Sequence, residues 1–313
     1  MKKKRNQESL KSSTSFTNDN FSFYLTGLIE GDGTIFVPKE QISAKGKQNY
    51  PAIEISFHLK NLPLALIIQK SLGCGSLIRK KGNNCYIYSV NNIDTIRVLV
   101  SLLNGKMRTT KVYDLWRLID WLNIQSFPLN SVDQDVNTVD QHVQKYSLNN
   151  QPLVNDAWFS GFIDASGSFS VRATEKQYKI ECRFICTISR YDQSKRSKLF
   201  FMEQIAQFLL STVKTTRIGK PNNQYTVRTT SYKGNIALQE YLRKYPLFGC
   251  KRLDYQDWTL VLDFFKKEPK NINLCGLSSS EKCEKIHAIK SGMNNSRTVY
   301  TWQHLNNFYN LEK

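Results

Sequence analysis

Across 313 residues, 44 lysines and arginines stand against 26 aspartates and glutamates, a net charge of +18. The length gives room for two domains of ordinary size or one built from two similar halves. So large a positive excess repels itself unless a polyanion is near, which makes nucleic acid the leading partner. No apolar run approaches the ~20 residues of a membrane-spanning helix, and no membrane partner is expected.

The seven cysteines form no framework: Cys182 and Cys186 share one face of a strand pattern, while Cys74, Cys85, Cys250, Cys275 and Cys283 are scattered. No C-x-x-C occurs, and His58, His142, His287 and His304 do not pair with cysteines at zinc spacing. The cysteines read as small buried hydrophobes in a reducing compartment.

In chain order, residues 1–19 are polar and begin Met1-Lys2-Lys3-Lys4-Arg5 without the apolar core of a secretory signal. They read as a disordered basic arm, with a nuclear or transit signal as alternatives. Asn20 or Ser22 is expected to cap a helix running to about Asp32, with Leu25, Leu28, Ile29 and Asp32 on one face. Residues 51–60 alternate apolar with polar, as in a strand buried on one side. A helix over 61–72, a basic hairpin with its turn at Gly82-Asn83-Asn84, and helices over 93–103 and 111–122 complete a first half spanning 20–124. Residues 125–153 are polar, locally acidic and bounded by Pro128 and Pro152, and read as a linker.

The second half, 154–313, repeats the order. Residues 178–189 give the cleanest alternation in the chain, followed by a helix over 193–210 and a basic hairpin across Pro221-Asn222-Asn223. Helices are expected over 235–244 and 254–266, and the tail adds one over 281–291.

The repeat is anchored by two matching stretches, Leu25-Thr26-Gly27-Leu28-Ile29-Glu30-Gly31-Asp32-Gly33 and Phe159-Ser160-Gly161-Phe162-Ile163-Asp164-Ala165-Ser166-Gly167. Each follows an aromatic lead-in, Tyr24 or Trp158. Glycine inside a helix costs about 1 kcal/mol against alanine, so Gly27 and Gly161 imply that another backbone comes close there. Gly33 and Gly167 read as helix C′ positions. The predicted fold is α+β: two αββαββα halves related by pseudo-two-fold symmetry, with the motif helices at the interface. Two antiparallel sheets are expected to expose faces carrying charged and hydroxyl residues.

Two such motifs, each opening a matching unit on a strongly basic chain, resemble the LAGLIDADG homing endonuclease family in its single-chain, two-motif, organellar-intron form. The resemblance covers about residues 20–292 and includes Asn155-Asp156-Ala157-Trp158, Tyr245-Pro246-Leu247-Phe248 and Lys251-Arg252-Leu253-Asp254-Tyr255. It implies saddle-shaped sheets lying in the DNA major groove and motif acids holding Mg²⁺ at the floor of a central cleft. Hard oxygen ligands are what Mg²⁺ against a phosphate requires.

Carried over by position, the resemblance makes Asp32 the metal ligand and Ser166 a degenerate catalytic position, since a neutral hydroxyl cannot replace a carboxylate charge. Lys111 and Lys251 match the active-site lysines that stabilise phosphate charge, and Asn61 and Arg190 match polar residues that organise active-site water. Glu30 and Asp164 fall at a structural position. Nucleic-acid contacts are expected from Lys45, Lys47, Lys60, Arg79, Lys80, Lys81, Arg172, Lys179, Arg183, Arg217, Lys220 and Arg228, most to phosphate and some to guanine edges.

The resemblance thus implies a monomeric, site-specific, Mg²⁺-dependent DNA endonuclease, reduced by Ser166 to a nickase or to inactivity, with metal occupancy lowered. The alternatives on the same scaffold are an RNA maturase serving its host intron and an inert RNA-binding protein. A mitochondrial or other organellar setting is expected.

Overall fold

The computed structural model describes residues 19–40, 42–125, 142–174, 179–220, 223–264 and 278–309. Residues 1–18 of the expected basic arm and the centre of the expected linker lie outside these, while Asp19 belongs to the first helix. The first half runs α1 (Asp19–Asp32), β1 (Gly33–Phe36), β2 (Ala52–His58), a 3₁₀ turn (Leu59–Asn61), α2 (Leu62–Leu72), β3 (Ser76–Arg79), β4 (Cys85–Val90), α3 (Ile93–Leu103) and α4 (Val112–Gln125). The second runs α5 (Trp158–Ser166), β5 (Gly167–Thr174), β6 (Lys179–Ser189), α6 (Leu199–Phe208), β7 (Lys214–Thr216), β8 (Gln224–Arg228), α7 (Tyr232–Lys244), α8 (Lys251–Asp263) and α9 (Ser279–Ser291).

Each half folds one antiparallel sheet, in the order β1-β2-β4-β3 or β5-β6-β8-β7. Gly33 pairs with Ile55 and Gly167 with Cys186, so each motif glycine opens an edge strand against its long neighbour. Alternation decides the faces: Ile53, Ile55 and Phe57 on β2, and Cys182, Phe184 and Cys186 on β6, are buried beneath helices. The opposite faces are open. This is the two-half, two-sheet α+β fold anticipated from the repeat.

Four local expectations change. Helix α1 begins at Asp19, ahead of both proposed caps, and the Ser22 carbonyl instead accepts from Thr26 Oγ1 at 2.7 Å. Gly167 is extended (φ −82°, ψ 161°), and Gly33 is not among the positive-φ glycines, so neither takes the left-handed C′ conformation. Space demands glycine there: a Cβ on Gly33 would lie 2.7 Å from the Ile29 carbonyl oxygen, and one on Gly167 2.8 Å from Ile163 Cγ2. Helix α6 starts at Leu199, because the Asp192 carboxylate accepts from Ser194 N at 2.9 Å and Arg196 N at 2.8 Å, folding 192–196 into a turn with Lys195 at φ 61°. Helices α7 and α8 each start three residues earlier than their patterns suggest, at Tyr232 and Lys251; the Ser231 hydroxyl caps α7 by accepting from Gly234 N.

The halves meet along α1 and α5. A Cβ on Gly27 would sit 1.9 Å from the Trp158 carbonyl oxygen, and one on Gly161 1.9 Å from that of Tyr24. The helices therefore cross backbone against backbone, and only glycine fits.

Two further straps bind the halves. Residues 142–153 are tied to the first half: Asn104 accepts from Tyr146 N, Asn123 from Val143 N, and Asn149 N donates to the Met107 carbonyl. There Arg108, 1% exposed, donates to the Asn149 and Gln151 carbonyls and forms a 2.7 Å ion pair with Asp156, ahead of α5. At the other end, Phe308 packs edge-on against Phe21, Tyr24 and Phe248, so the C-terminal segment closes over both halves. Removing one member of a buried ion pair strands the other charge, so Asp156→Ala is expected to lower unfolding free energy by about 3–5 kcal/mol. Denaturant unfolding measures it; a loss below 1 kcal/mol would mean that Arg108 finds water instead.

Candidate active site and nucleic-acid interface

The sixth-position acids and the aromatic lead-ins form a reciprocal lock. Glu30 of α1 accepts from Trp158 Nε1 of α5 at 2.5 Å, and Asp164 of α5 accepts from the Tyr24 hydroxyl of α1 at 2.7 Å. Each acid also holds the segment just ahead of a later helix of its own half, α4 for Glu30 and α8 for Asp164. Glu30 takes the backbone N–H groups of Arg108 and Thr109, and Asp164 those of Phe248 and Gly249. Burial pushes both carboxyls up, while these donors hold them down. Both acids act as fasteners through these donors, although Asp164 does so through Oδ2 alone, its Oδ1 being buried without a hydrogen-bond partner.

That lock carries the motif ends to one place. A Cβ on Gly31 would lie 2.2 Å from Ala165 Cβ and 3.2 Å from Ser166 Oγ, so α1 and α5 converge where Asp32 and Ser166 stand. Asp32 is exposed and Ser166 half-buried. A lysine closes each helix end. Lys111 Nζ donates to the Ile29 carbonyl at 2.8 Å and to that of Gly33; Lys251 Nζ donates to Ile163 at 3.2 Å and Ala165 at 2.6 Å. Cations at helix C-termini satisfy orphan carbonyls and the dipole together.

Although the residue as a whole is exposed, partial desolvation of its carboxyl in the cleft pushes Asp32 up, against the pull of Lys251 and then Lys111. Burial lowers Lys111 to about 8, against the pull of Glu30. Lys251 is also lowered by burial, against Asp164 and Asp32. Both cations are therefore partly desolvated, and each gives up its proton more readily than a free lysine.

Asp32, Asn61 and Lys251 line one cavity of about 240 Å³, shared with His58, Lys60 and Asp254. Asn61 Oδ1 accepts from Cys250 N at 2.8 Å, crossing the junction to the start of α8. Arg190 lies elsewhere: its Nε donates to the Tyr225 hydroxyl at 2.9 Å, and it lines a separate depression with Leu199 and Glu203. Two features escape a reading of motifs alone. Lys198 stands near enough to Lys111 to depress its pKa, and it is itself lowered by burial. The C-terminal segment contributes Asn294, Asn295 and Tyr300 to the Asp32 cavity, with Lys60 Nζ 5.2 Å from the Tyr300 ring centre. Lys198 ends the basic run 195–198, which was a visible signal; nothing in the spacing marks Tyr300.

The expected contact residues divide by position. Lys45 and Lys47 are exposed between β1 and β2, Arg79, Lys80 and Lys81 at the end of the first hairpin, and Arg217 and Lys220 after β7. Arg172 is exposed on β5, while Arg183, paired with Glu181, and Arg228 are half-buried on β6 and β8. Lys179 pairs through its backbone with Thr174, and its side chain lies outside the described residues. Both open faces carry charged and hydroxyl residues as expected, but the charge on the first is not cationic. Among the described residues, that face presents Thr34, Phe36, Glu54, Ser56, His58, Ile78, Ile87 and Ser89 and no lysine or arginine, since Arg79 of β3 alternates to the other side opposite Tyr86.

Comparison with known proteins agrees with this architecture. The family model described as LAGLIDADG endonuclease matches residues 25–122 and 159–262. An "Intron-encoded DNA endonuclease aI3" of Saccharomyces cerevisiae is 26% identical over 312 residues, covering 93% of this chain and 74% of that protein. Over a shorter stretch, 154 residues, the "Intron-encoded RNA maturase bI4" of the same yeast is 29% identical, covering 49% of this chain and 20% of that protein. The solved structure of the LAGLIDADG homing endonuclease I-GzeII in complex with its DNA target superposes with a TM-score of 0.64 at 17% identity, covering 88% of this chain and 99% of that one.

Proposed function

The chain belongs to the LAGLIDADG endonuclease family, and we propose that it binds a specific duplex DNA site and hydrolyses phosphodiester bonds there, one strand faster than the other. The observation that carries this reading is the pairing of Asp32 with Ser166 at converging helix ends, each end closed by a lysine. The relatives are intron-encoded, which supports an intron as the gene's setting, and we propose a mitochondrial one.

The donor set suits Mg²⁺ on one side only. Mg²⁺ is commonly held by one or two carboxylates completed by substrate phosphates, and Asp32 offers one exposed carboxylate. No group of three acidic, histidine or cysteine side chains stands ready among the described residues, so DNA itself must complete the site. When bound, the ion would polarise the scissile phosphate and acidify a water. The chain's own residues do the rest: Asp32 would hold the ion, and Lys251 would offset charge on the phosphate. Ser166 adds only a neutral oxygen, which leaves the second site weak.

In Mg²⁺, a supercoiled plasmid carrying the insertion site is expected to be nicked, and Asp32→Asn to abolish nicking while leaving binding intact. Nicking that survives Asp32→Asn would sink the assignment. The neutral Ser166 and the maturase relative favour a second reading, an RNA maturase for the host intron. Tighter, salt-sensitive binding to intron RNA than to the duplex would support it.

The lysines also give a pH test. A lysine near 8 in the free protein is charged below that value and neutral above it, whereas phosphate binds the charged form. Affinity for the duplex in EDTA is expected to be flat up to pH 7.5 and to fall above 8 by up to roughly tenfold per unit. Lys111→Met should remove the break; an unchanged break would assign it to another group.

A further inference from the structure

We propose that the two sheets read their half-sites by different chemistry, the first through thymine methyl groups and the second through phosphates and guanine edges. This rests on the reading of the chain as a duplex-DNA binder. The first sheet's open face is the unexpected one. On a chain of net charge +18, its strands carry Glu54 there and, among the described residues, no cation. Ile78 on β3 is paired directly across from Ile87 on β4, and Ile87 in turn from Ser56 on β2. Directly opposed side chains lie within about 5.5 Å of one another, so the isoleucines form one apolar block, with Ile78 61% exposed. Phe36, 54% exposed, stands on the edge strand β1 opposite Ala52. Hydroxyls of Thr34, Ser56, Ser76 and Ser89 fill the space between.

Cations surround this face rather than occupy it. Lys80 and Lys81 follow β3, Lys45 and Lys47 lie beyond β1, and Lys60 follows β2. Phosphate contacts fix register, and contacts to base edges carry sequence information, so a basic rim around a neutral, partly apolar centre is a layout for reading bases. The one apolar group that a base pair presents in the major groove is the thymine methyl. The second sheet differs: Arg172, Arg183, Arg228 and Lys214 all lie on its open face, opposite Glu181, Ser170, Ile185 and Thr226. Those groups match phosphate oxygens and the O6 and N7 acceptors of guanine. The distinction bears on the ligand as well. Uracil lacks the methyl, and the major groove of A-form RNA is too narrow for side chains to read, so a methyl-reading face serves DNA.

The test begins with sites selected by the wild-type protein from a randomised duplex library. The selected duplex is remade with deoxyuridine replacing thymine in one half at a time. In the half contacted by the first sheet, affinity is expected to fall about three- to fivefold per contacted methyl group. In the other half it should change less than twofold. The exposed substitutions Ile78→Gln and Phe36→Gln should erase the thymine-over-uracil preference while the variants stay folded, as circular dichroism would check. Equal affinity for thymine and deoxyuridine in both halves, from a protein that still selects sites, overturns this inference and leaves DNA binding intact. Failure to select any duplex overturns both.

Discussion

Gly161→Ala is expected to be among the most damaging single-methyl changes in the chain, lowering unfolding free energy by about 3 kcal/mol or more. The new Cβ would stand 1.9 Å from the Tyr24 carbonyl oxygen. That oxygen belongs to helical backbone, so it cannot swing aside as a side chain would. The helices must part, and parting them breaks the Glu30–Trp158 and Asp164–Tyr24 hydrogen bonds that lie along the same seam. Total stabilities are about 5–15 kcal/mol, so the loss is a large share, and the melting temperature should fall by roughly 10 °C. Gly27→Ala should match it from the other side. Leu66→Ala, on the exposed face of α2, is the control and should change stability by about 0.5 kcal/mol or less. A Gly161→Ala protein as stable as wild type would mean that the helices do not cross at these residues.

The largest expected effect on activity is a gain. Ser166→Asp restores a second carboxylate at the converging ends of α1 and α5, and cleavage of the slower strand is expected to rise by about 10²–10³-fold in Mg²⁺. Two carboxylates so close repel each other in the absence of a cation, so the variant should be less stable in EDTA and recover when Mg²⁺ is added. Lys111 and Lys251 temper that repulsion. A thermal shift with and without Mg²⁺ reads the coupling independently of cleavage. No gain on a site that the variant still binds would remove Ser166 as the cause of the weak half.

The repeat was legible because its cues are local. A glycine within a helix, an acid three residues on and an aromatic three before recur at one spacing in both halves, and each has a single physical role at the crossing. Strand alternation over 51–60 and 178–189 was equally plain, since burial on one face leaves a period of two in the sequence. Three things were not legible. The late start of α6 depends on Asp192 capturing Arg196, a turn that competes with helical spacing. The C-terminal segment reaches its partners across the fold: Arg297 binds Asp254 and Asp257, and Phe308 meets Phe21, without any periodic signature. The absence of cations from the open face of the first sheet, among the described residues, has no signature in the spacing of lysines along the chain. Only the register shows that Lys45, Lys47, Lys80 and Lys81 sit at its rim while Ile78 and Ile87 hold its centre.

The site was partly readable for the same reason. Asp32 and Ser166 follow from the repeat, because they stand at the same place in its two copies, whereas Lys111 and Lys251 come from the resemblance to the family. Lys198 and Tyr300 break that symmetry, and they reach the motif ends from the second half alone. The two ends therefore differ in more than one residue, although Asp32 against Ser166 is the difference that bears on a metal. Strand-resolved cleavage tests this most directly. With each strand of the bound duplex end-labelled separately, wild-type protein in Mg²⁺ is expected to cut one strand at least about tenfold faster than the other; equal rates on both strands would contradict it.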